Sequence, residues 1–233
     1  MPNSTNFTRC LGLIGGLGVG ATIHYYRELA KAHEIHGSKL QLMMVHADME
    51  RVLKHAEAGE SNQLAKYLAE SIGRLQAGGA HIAAISAVTP HLCVNDLLAI
   101  SPLPLVNLLD AVNDEIHVRR IRRVAVFGTR FTVDSNLFGQ LPELEFVKPH
   151  PHEVDHIHNA YLKLARDAEN SQESFRELTE LAQNLCKRET VDAIILAGTD
   201  LSVLFNEANT DFPHIDCAGV HIASIVRHLR AKT

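Results

Sequence analysis

Two short apolar runs in this 233-residue chain end in small residues and a threonine. Ile82 to Ile85 leads into Ser86-Ala-Val-Thr-Pro-His91, and Ala193 to Leu196 leads into Ala197-Gly-Thr-Asp200. A strand that ends this way and opens into a helix presents free backbone N–H groups, and a hydroxyl beside them suits the oxygens of a small carboxylate. Gly15-Gly-Leu-Gly-Val-Gly20 and Gly128-Thr-Arg-Phe-Thr132 share that anion-accepting character. Thr89, Thr129, Thr132 and Thr199 are therefore candidate ligand-gripping residues, although a threonine at such a turn serves equally well as a helix cap.

Groups able to carry a proton are sparser. Cys10, Cys93, Cys186 and Cys217 are widely spaced and form no CxxC pair. Cys217 follows Asp216 at the end of the last apolar run and is the candidate thiol nearest the expected site, whereas Cys93 is expected to pack as an inert hydrophobe. Ser86 should face away from its neighbour Ala87 on an extended strand. His46, His91 and His221 could each act as a general base near neutral pH or serve as a hydrogen-bonded structural histidine. The 15 histidines are dispersed, so no metal site is expected.

Gly16, Gly18 and Ala21 satisfy a dinucleotide-binding fingerprint, which also wants an acidic residue about 20 residues on. Here Asp48 comes roughly 30 residues later, and a nucleotide-dependent enzyme is disfavoured.

These residues must be positioned by alternating elements. Strands are expected at Leu11 to Ile14, Leu40 to His46, Ile82 to Ile85, Leu105 to Leu109, Val124 to Phe127, Glu145 to Lys148, Ile194 to Leu196 and Pro213 to Asp216. Helical spacing fills the intervals, most clearly at Ser61 to Gln76, where Leu64, Leu68, Ile72 and Leu75 form one stripe. Strands alternating with helices give an α/β fold: two similar lobes with parallel sheets flanked by helices and a cleft between them. The lobes are expected at 8–115 and 116–216, with a closing helix at 217–230 packing back on the first.

Composition excludes several classes. A formal charge of -5, with only Arg119 to Arg123 as a basic cluster, argues against a nucleic-acid partner. No apolar run approaches the ~20 residues of a membrane span. Residues 2–8 are polar and unlike a signal peptide, so a cytoplasmic location with reduced thiols is expected.

Several stretches together resemble the aspartate/glutamate racemase family, and the likeness covers nearly the whole chain. They are Leu13-Ile-Gly-Gly-Leu-Gly18 followed by Thr22-Ile-His-Tyr-Tyr-Arg27, the Gly128 to Thr132 loop, Ala87-Val-Thr-Pro-His91, Leu196-Ala-Gly-Thr-Asp-Leu201, and Pro213-His-Ile-Asp216 with His221. The resemblance implies a cofactor-independent protein that binds a small amino or dicarboxylic acid between its lobes. Gly16, Leu17, Asp48, Val88, Thr89, Thr129, Thr132 and Thr199 would line that site, and a homodimer is carried over as an expectation. The family moves a proton between two cysteines, one from each turn, and their positions here are Ala87 and Gly198. Neither side chain can carry a proton. Val88 stands where the family has asparagine, and Gly20 where an acidic residue is often found. Two readings follow. Either an isomerase works with a non-standard base drawn from Cys217, His91 or His221, or the chain is a catalytically inactive small-carboxylate-binding or interaction protein.

Overall fold

A computed structural model describes residues 9–167, 172–206 and 208–230. The polar lead-in at 2–8 lies outside them. Two parallel sheets organise the chain. The first, in the order β2-β1-β3, contains β1 (Leu11–Gly15), β2 (Leu42–His46) and β3 (Ile82–Ile85). The second, in the order β5-β4-β6-β7, contains β4 (Arg123–Phe127), β5 (Glu145–Phe146), β6 (Ala193–Leu196) and β7 (His214–Asp216).

Both sheets are covered on two faces, which is why their central strands are continuous apolar runs rather than alternating ones. Along β4, Val124 and Val126 enter one core while Ala125 and Phe127 enter the other. Along β3, Ile82 and Ala84 face one core and Ala83 and Ile85 the opposite one. The period of 2 thus assigns each residue to a layer.

Crossover helices supply the covering. On the first sheet these are α1 (Val19–Ile35), α2 (Met49–Glu57) and α3 (Ser61–Ala77), then a 3₁₀ turn at Thr89–Cys93 that runs into α4 (Val94–Ile100). The α3 stripe of Leu64, Leu68, Ile72 and Leu75 is buried as its spacing predicts. The second lobe carries the short α6 (Arg130–Asp134), then α7 (Pro151–Asp167), α8 (Gln172–Glu189) and α9 (Leu201–Leu204).

Two helices exchange sides. α5 (Leu108–Arg119) sends Leu108, Leu109, Val112 and Ile116 into the core of the second sheet. α10 (Cys217–Arg230) sends Ile222, Ile225 and Leu229 back onto the first, beside Leu11, Leu13 and Tyr25. The crossing ties the lobes together.

One local expectation is corrected, and two helix boundaries are set by local backbone chemistry. Leu105 to Leu109 is no strand: only Leu105 forms an isolated bridge, to Ala83, because Asn107 caps α5 by accepting from Leu109 N–H at 3.0 Å. The segment from Val133 to Leu141 is not one helix, since left-handed backbone at Asn136 and Leu137 breaks it. α7 begins at Pro151, with proline in the first turn where its missing N–H costs nothing.

Candidate active site

The carboxyl ends of β3, β4 and β6 meet between the lobes, with the turns after them facing one another. A pocket of about 30 Å³ lies there, lined by Leu17, Ala87, Thr89 and Thr129, by Met49, Val52 and Leu53 of α2, and by Tyr161, Leu162 and Ala165 of α7. That is room for one or two water molecules. Tyr161 is its one ionisable lining side chain, and burial holds that phenol protonated, well above its usual range.

The turn at Gly198 is occupied in an unexpected way. A Cβ added there would lie 2.3 Å from Tyr161 Cε2 and 2.5 Å from its Cδ2. The aromatic ring therefore sits where a side chain at position 198 would project. A longer side chain at position 198, such as the cysteine that the resemblance implies there, would have no room while the ring stays in place. Ala87 lines the pocket and brings only a methyl group.

Four threonines were expected to face a ligand, and the structure separates them. Thr129 caps α6, accepting from Thr132 N–H at 3.1 Å, and the two hydroxyls lie 2.8 Å apart. Thr132 is fully buried behind it. Thr199 is also fully buried and donates to the Ser86 carbonyl across the lobe boundary at 3.0 Å. Only Thr89 and Thr129 reach the pocket lining, and Thr89 Oγ1 has no hydrogen-bond partner among the described residues. Of the other expected site residues, Leu17 lines the pocket. Val88 points into the core with Leu108 and Val126. Gly16 and Asp48 belong to a separate open groove with His46, Arg51, Tyr67 and Arg74, and Asp48 there caps α2 through Glu50 and Arg51 N–H.

The candidate bases lie elsewhere too. His91 is buried; its Nδ1 donates to the Ala87 carbonyl at 2.9 Å and its Nε2 accepts from Leu108 N–H at 3.3 Å. His221 donates through Nε2 to the Val106 carbonyl and accepts the Tyr25 hydroxyl at Nδ1, each at 2.9 Å. Both rings are satisfied as neutral imidazoles. Burial lowers His91 to about 4, and burial followed by the neighbouring His91 lowers His221 to about 3. Cys217 is fully buried in the core of the second sheet, and burial raises its thiol well above the usual range. Cys93 is likewise pushed up to about 12 by burial, its Sγ 3.2 Å from the Pro90 carbonyl. Ser86 turns towards β1, donating to the Ile14 carbonyl at 3.1 Å. None of the three candidate catalytic residues touches the pocket.

Two residues that the sequence reading did not single out dominate the centre, Tyr161 and Asp200. The Asp200 carboxylate is 2% exposed, accepts from Ala21 N–H of α1 at 2.9 Å, and faces the Tyr161 hydroxyl at 3.5 Å. Burial raises its pKa, with the Ala21 N–H and the Tyr161 hydroxyl opposing. Tyr161 sits mid-helix among other apolar positions, where nothing in its spacing separates a pocket wall from core. Asp200 follows Thr199 directly and could have been suspected from that adjacency. No group of three or more metal-ligating side chains occurs among the described residues, and no helix among them is long and apolar enough to cross a membrane.

Solved structures share this fold. A Yersinia pestis protein described as a candidate Asp/Glu racemase superposes with a TM-score of 0.80 at 20% identity, over 96% of this chain and 100% of that one. An aspartate racemase homologue from Pyrococcus horikoshii OT3 gives 0.79 at 22% identity, with the same coverage. Glutamate racemase from Francisella tularensis, solved with D-glutamate, gives 0.60 at 15% identity over 97% of this chain and 84% of that one. At such identities the likeness speaks for the fold, which is the two-lobed α/β architecture. A family model for Asp/Glu/Hydantoin racemase matches residues 14–225. With that match spanning both sheets and both turns of the cleft, the chain belongs to the Asp/Glu/Hydantoin racemase family.

Proposed function

We propose that this protein is a non-racemising member of its family that holds a small carboxylic acid between its lobes without exchanging the acid's α-proton. The observation that carries the reading is the Tyr161 ring packed over Gly198. Racemisation without a cofactor needs a base on one face of the α-carbon and an acid on the other. The pocket offers a methyl group on one side and a protonated phenol on the other. Every cysteine and histidine that could substitute is either outside the pocket lining or buried with its polar atoms engaged. The unpartnered Thr89 hydroxyl and the Thr129 hydroxyl, which line the same pocket, remain as carboxylate contacts. Homologues solved with D-glutamate or β-chloro-D-alanine support a small acid as the ligand type. An amino or dicarboxylic acid, as the sequence resemblance implies, is the starting panel.

Proton NMR in D2O tests this. L-aspartate, L-glutamate and succinate incubated with the protein keep their α-proton signals, while saturation-transfer difference spectra register binding of a small acid. Loss of the α-proton signal that depends on added protein overturns the reading. A second reading is favoured by the small volume of about 30 Å³: the cleft stays packed and the chain acts through its surface as an interaction protein. Absence of transfer to every acid selects it.

A further inference from the structure

The outer strands of the two sheets are not treated alike. β5 is two residues long, and its Glu145 pairs with Arg123. On β7 the outward carbonyl of His214 accepts from the Arg119 guanidinium at 2.7 Å. The outer side of β3 is covered by residues 104–106: Ala83 N–H donates to the Pro104 carbonyl and Val106 N–H to the Ala83 carbonyl, each at 2.8 Å. β2 has no such cover among the described residues. Leu11 N–H donates to the Gln41 carbonyl and Ala47 N–H to the Gly15 carbonyl, so the odd-numbered residues bond towards β1. Leu42, Met44 and His46 therefore turn their N–H and C=O groups outward. Leu40 to Val45 contains no charged residue and no proline, the devices that usually keep an edge from pairing.

The surface beside this edge is apolar. Val19, Ile23 and Tyr26 share one face of α1 and, like Met44, are each about half exposed. A Cβ at Gly15 would lie 2.5 Å from Thr22 Cγ2 and 3.5 Å from Met44 Sδ. Thr22 neighbours all three stripe residues on the helix, so the stripe borders the open strand. Such a contiguous apolar face, next to unpaired backbone groups, marks an interaction surface.

We infer that a second copy of the chain docks here, β2 against β2 in antiparallel register with Met44 opposite Met44, so that the two first sheets continue as one six-stranded sheet. The outward groups of Leu42, Met44 and His46 are symmetric about Met44, and a two-fold axis there lets each of three residue pairs exchange two hydrogen bonds. Charge favours the same register. Lys39 precedes the strand, and Asp48 and Glu50 follow it, all exposed, so antiparallel pairing brings each Lys39 to the acidic end of the other copy. The two α1 stripes then fall on one side of the joined sheet, flanking the axis, where Ile23 and Tyr26 lose their contact with water. This surface lies outside the cleft, and the inference stands or falls independently of the carboxylate reading.

Sedimentation velocity on the full chain at micromolar concentration tests it, with wild type, Met44→Lys and Val118→Lys. Wild type sediments at twice the 25.7 kDa chain mass. Met44→Lys sets two cations against each other at the axis and raises the dissociation constant about a hundredfold or more. Val118→Lys adds the same charge at an exposed position on α5 and leaves the dimer intact. A monomeric wild type overturns the inference, as does a Met44→Lys protein that stays dimeric or a Val118→Lys protein that dissociates equally. Hydrogen exchange on wild type adds a readout that no misfolded variant can blur. The amides of Leu42, Met44 and His46 are protected in the dimer, whereas a dimer in which these three exchange freely pairs through another face and overturns the assignment.

Discussion

At the scale of the single residue, Gly198 and Tyr161 form one unit of packing. Placing a side chain at 198 forces the ring to move, and the ring is itself buried between α7 and the cleft. Gly198→Cys is therefore expected to cost about 1–3 kcal/mol as overpacking, read as a lowered urea midpoint with an unchanged slope. Tyr161→Ala leaves a cavity and costs about 3–5 kcal/mol. The double variant should cost less than the sum, by about 1–3 kcal/mol, because the new side chain occupies the space the ring leaves. Strict additivity would mean that the two positions do not share that space. Placing a thiol in each turn, as Ala87→Cys with Gly198→Cys, is expected to give no α-proton exchange while Tyr161 remains. That Ala87 and Gly198 bring no proton-carrying group to the two turns was legible in the sequence alone. That a ring from position 161 fills the space at Gly198 was not, because a tyrosine on a helix 37 residues earlier carries no local mark of where its side chain ends.

Among the elements, the turn after β3, the start of α5 and the middle of α10 are joined by two neutral histidines. His91 links the Ala87 carbonyl to Leu108 N–H, and His221 links Tyr25 of α1 to the Val106 carbonyl, with the rings 6.2 Å apart and perpendicular. Both pKa values lie below the ordinary 6.5, so each ring contributes stability that is present above about 6.5 and lost as pH falls through about 4 for His91 and about 3 for His221. Protonation would put two cations side by side and turn an acceptor nitrogen against a donor. Stability should fall by several kcal/mol between pH 7 and pH 4.5, on the order of 3 kcal/mol per ring at most. Replacing His221 by Gln should lower stability at pH 7 and flatten that pH dependence; an unchanged slope would place the titrating groups elsewhere. The helices and strands themselves were largely legible, since β4 is a short continuous apolar run while α3 carries an apolar stripe with a period of 3.6. The exceptions, at Leu105 and Asn136, are places where a cap or a left-handed residue overrides an apolar pattern. The same competition explains Thr129, whose hydroxyl caps α6 and also reaches the pocket.

Across the whole molecule, the lobes are held together in two ways that differ in chemistry. One is apolar and topological: α5 packs on the second sheet, α10 on the first, and the two helices lie against each other. The other is polar and local, with Thr199 Oγ1 on the Ser86 carbonyl and Asp200 on Ala21 N–H at the ends of the central strands. The duplicated pattern of strand ends in the sequence anticipates that these turns face one another, but not that they bond to one another instead of to a ligand. The apolar crossing should keep the lobes associated when the polar contacts are removed, so opening of the cleft and unfolding become separable events. Thr199→Val strands a buried carbonyl and should cost about 1–3 kcal/mol. If that cost is paid locally, hydrogen exchange in the variant will rise at the amides of Ala21, Ala87 and Val88 around the cleft, while the amides of β1, β4 and β6 keep their protection. A uniform rise across both sheets would instead mean that the cleft contacts belong to the global cooperative unit. The ligand would then meet a site that opens only when the protein unfolds, a result that would favour the interaction reading over carboxylate binding.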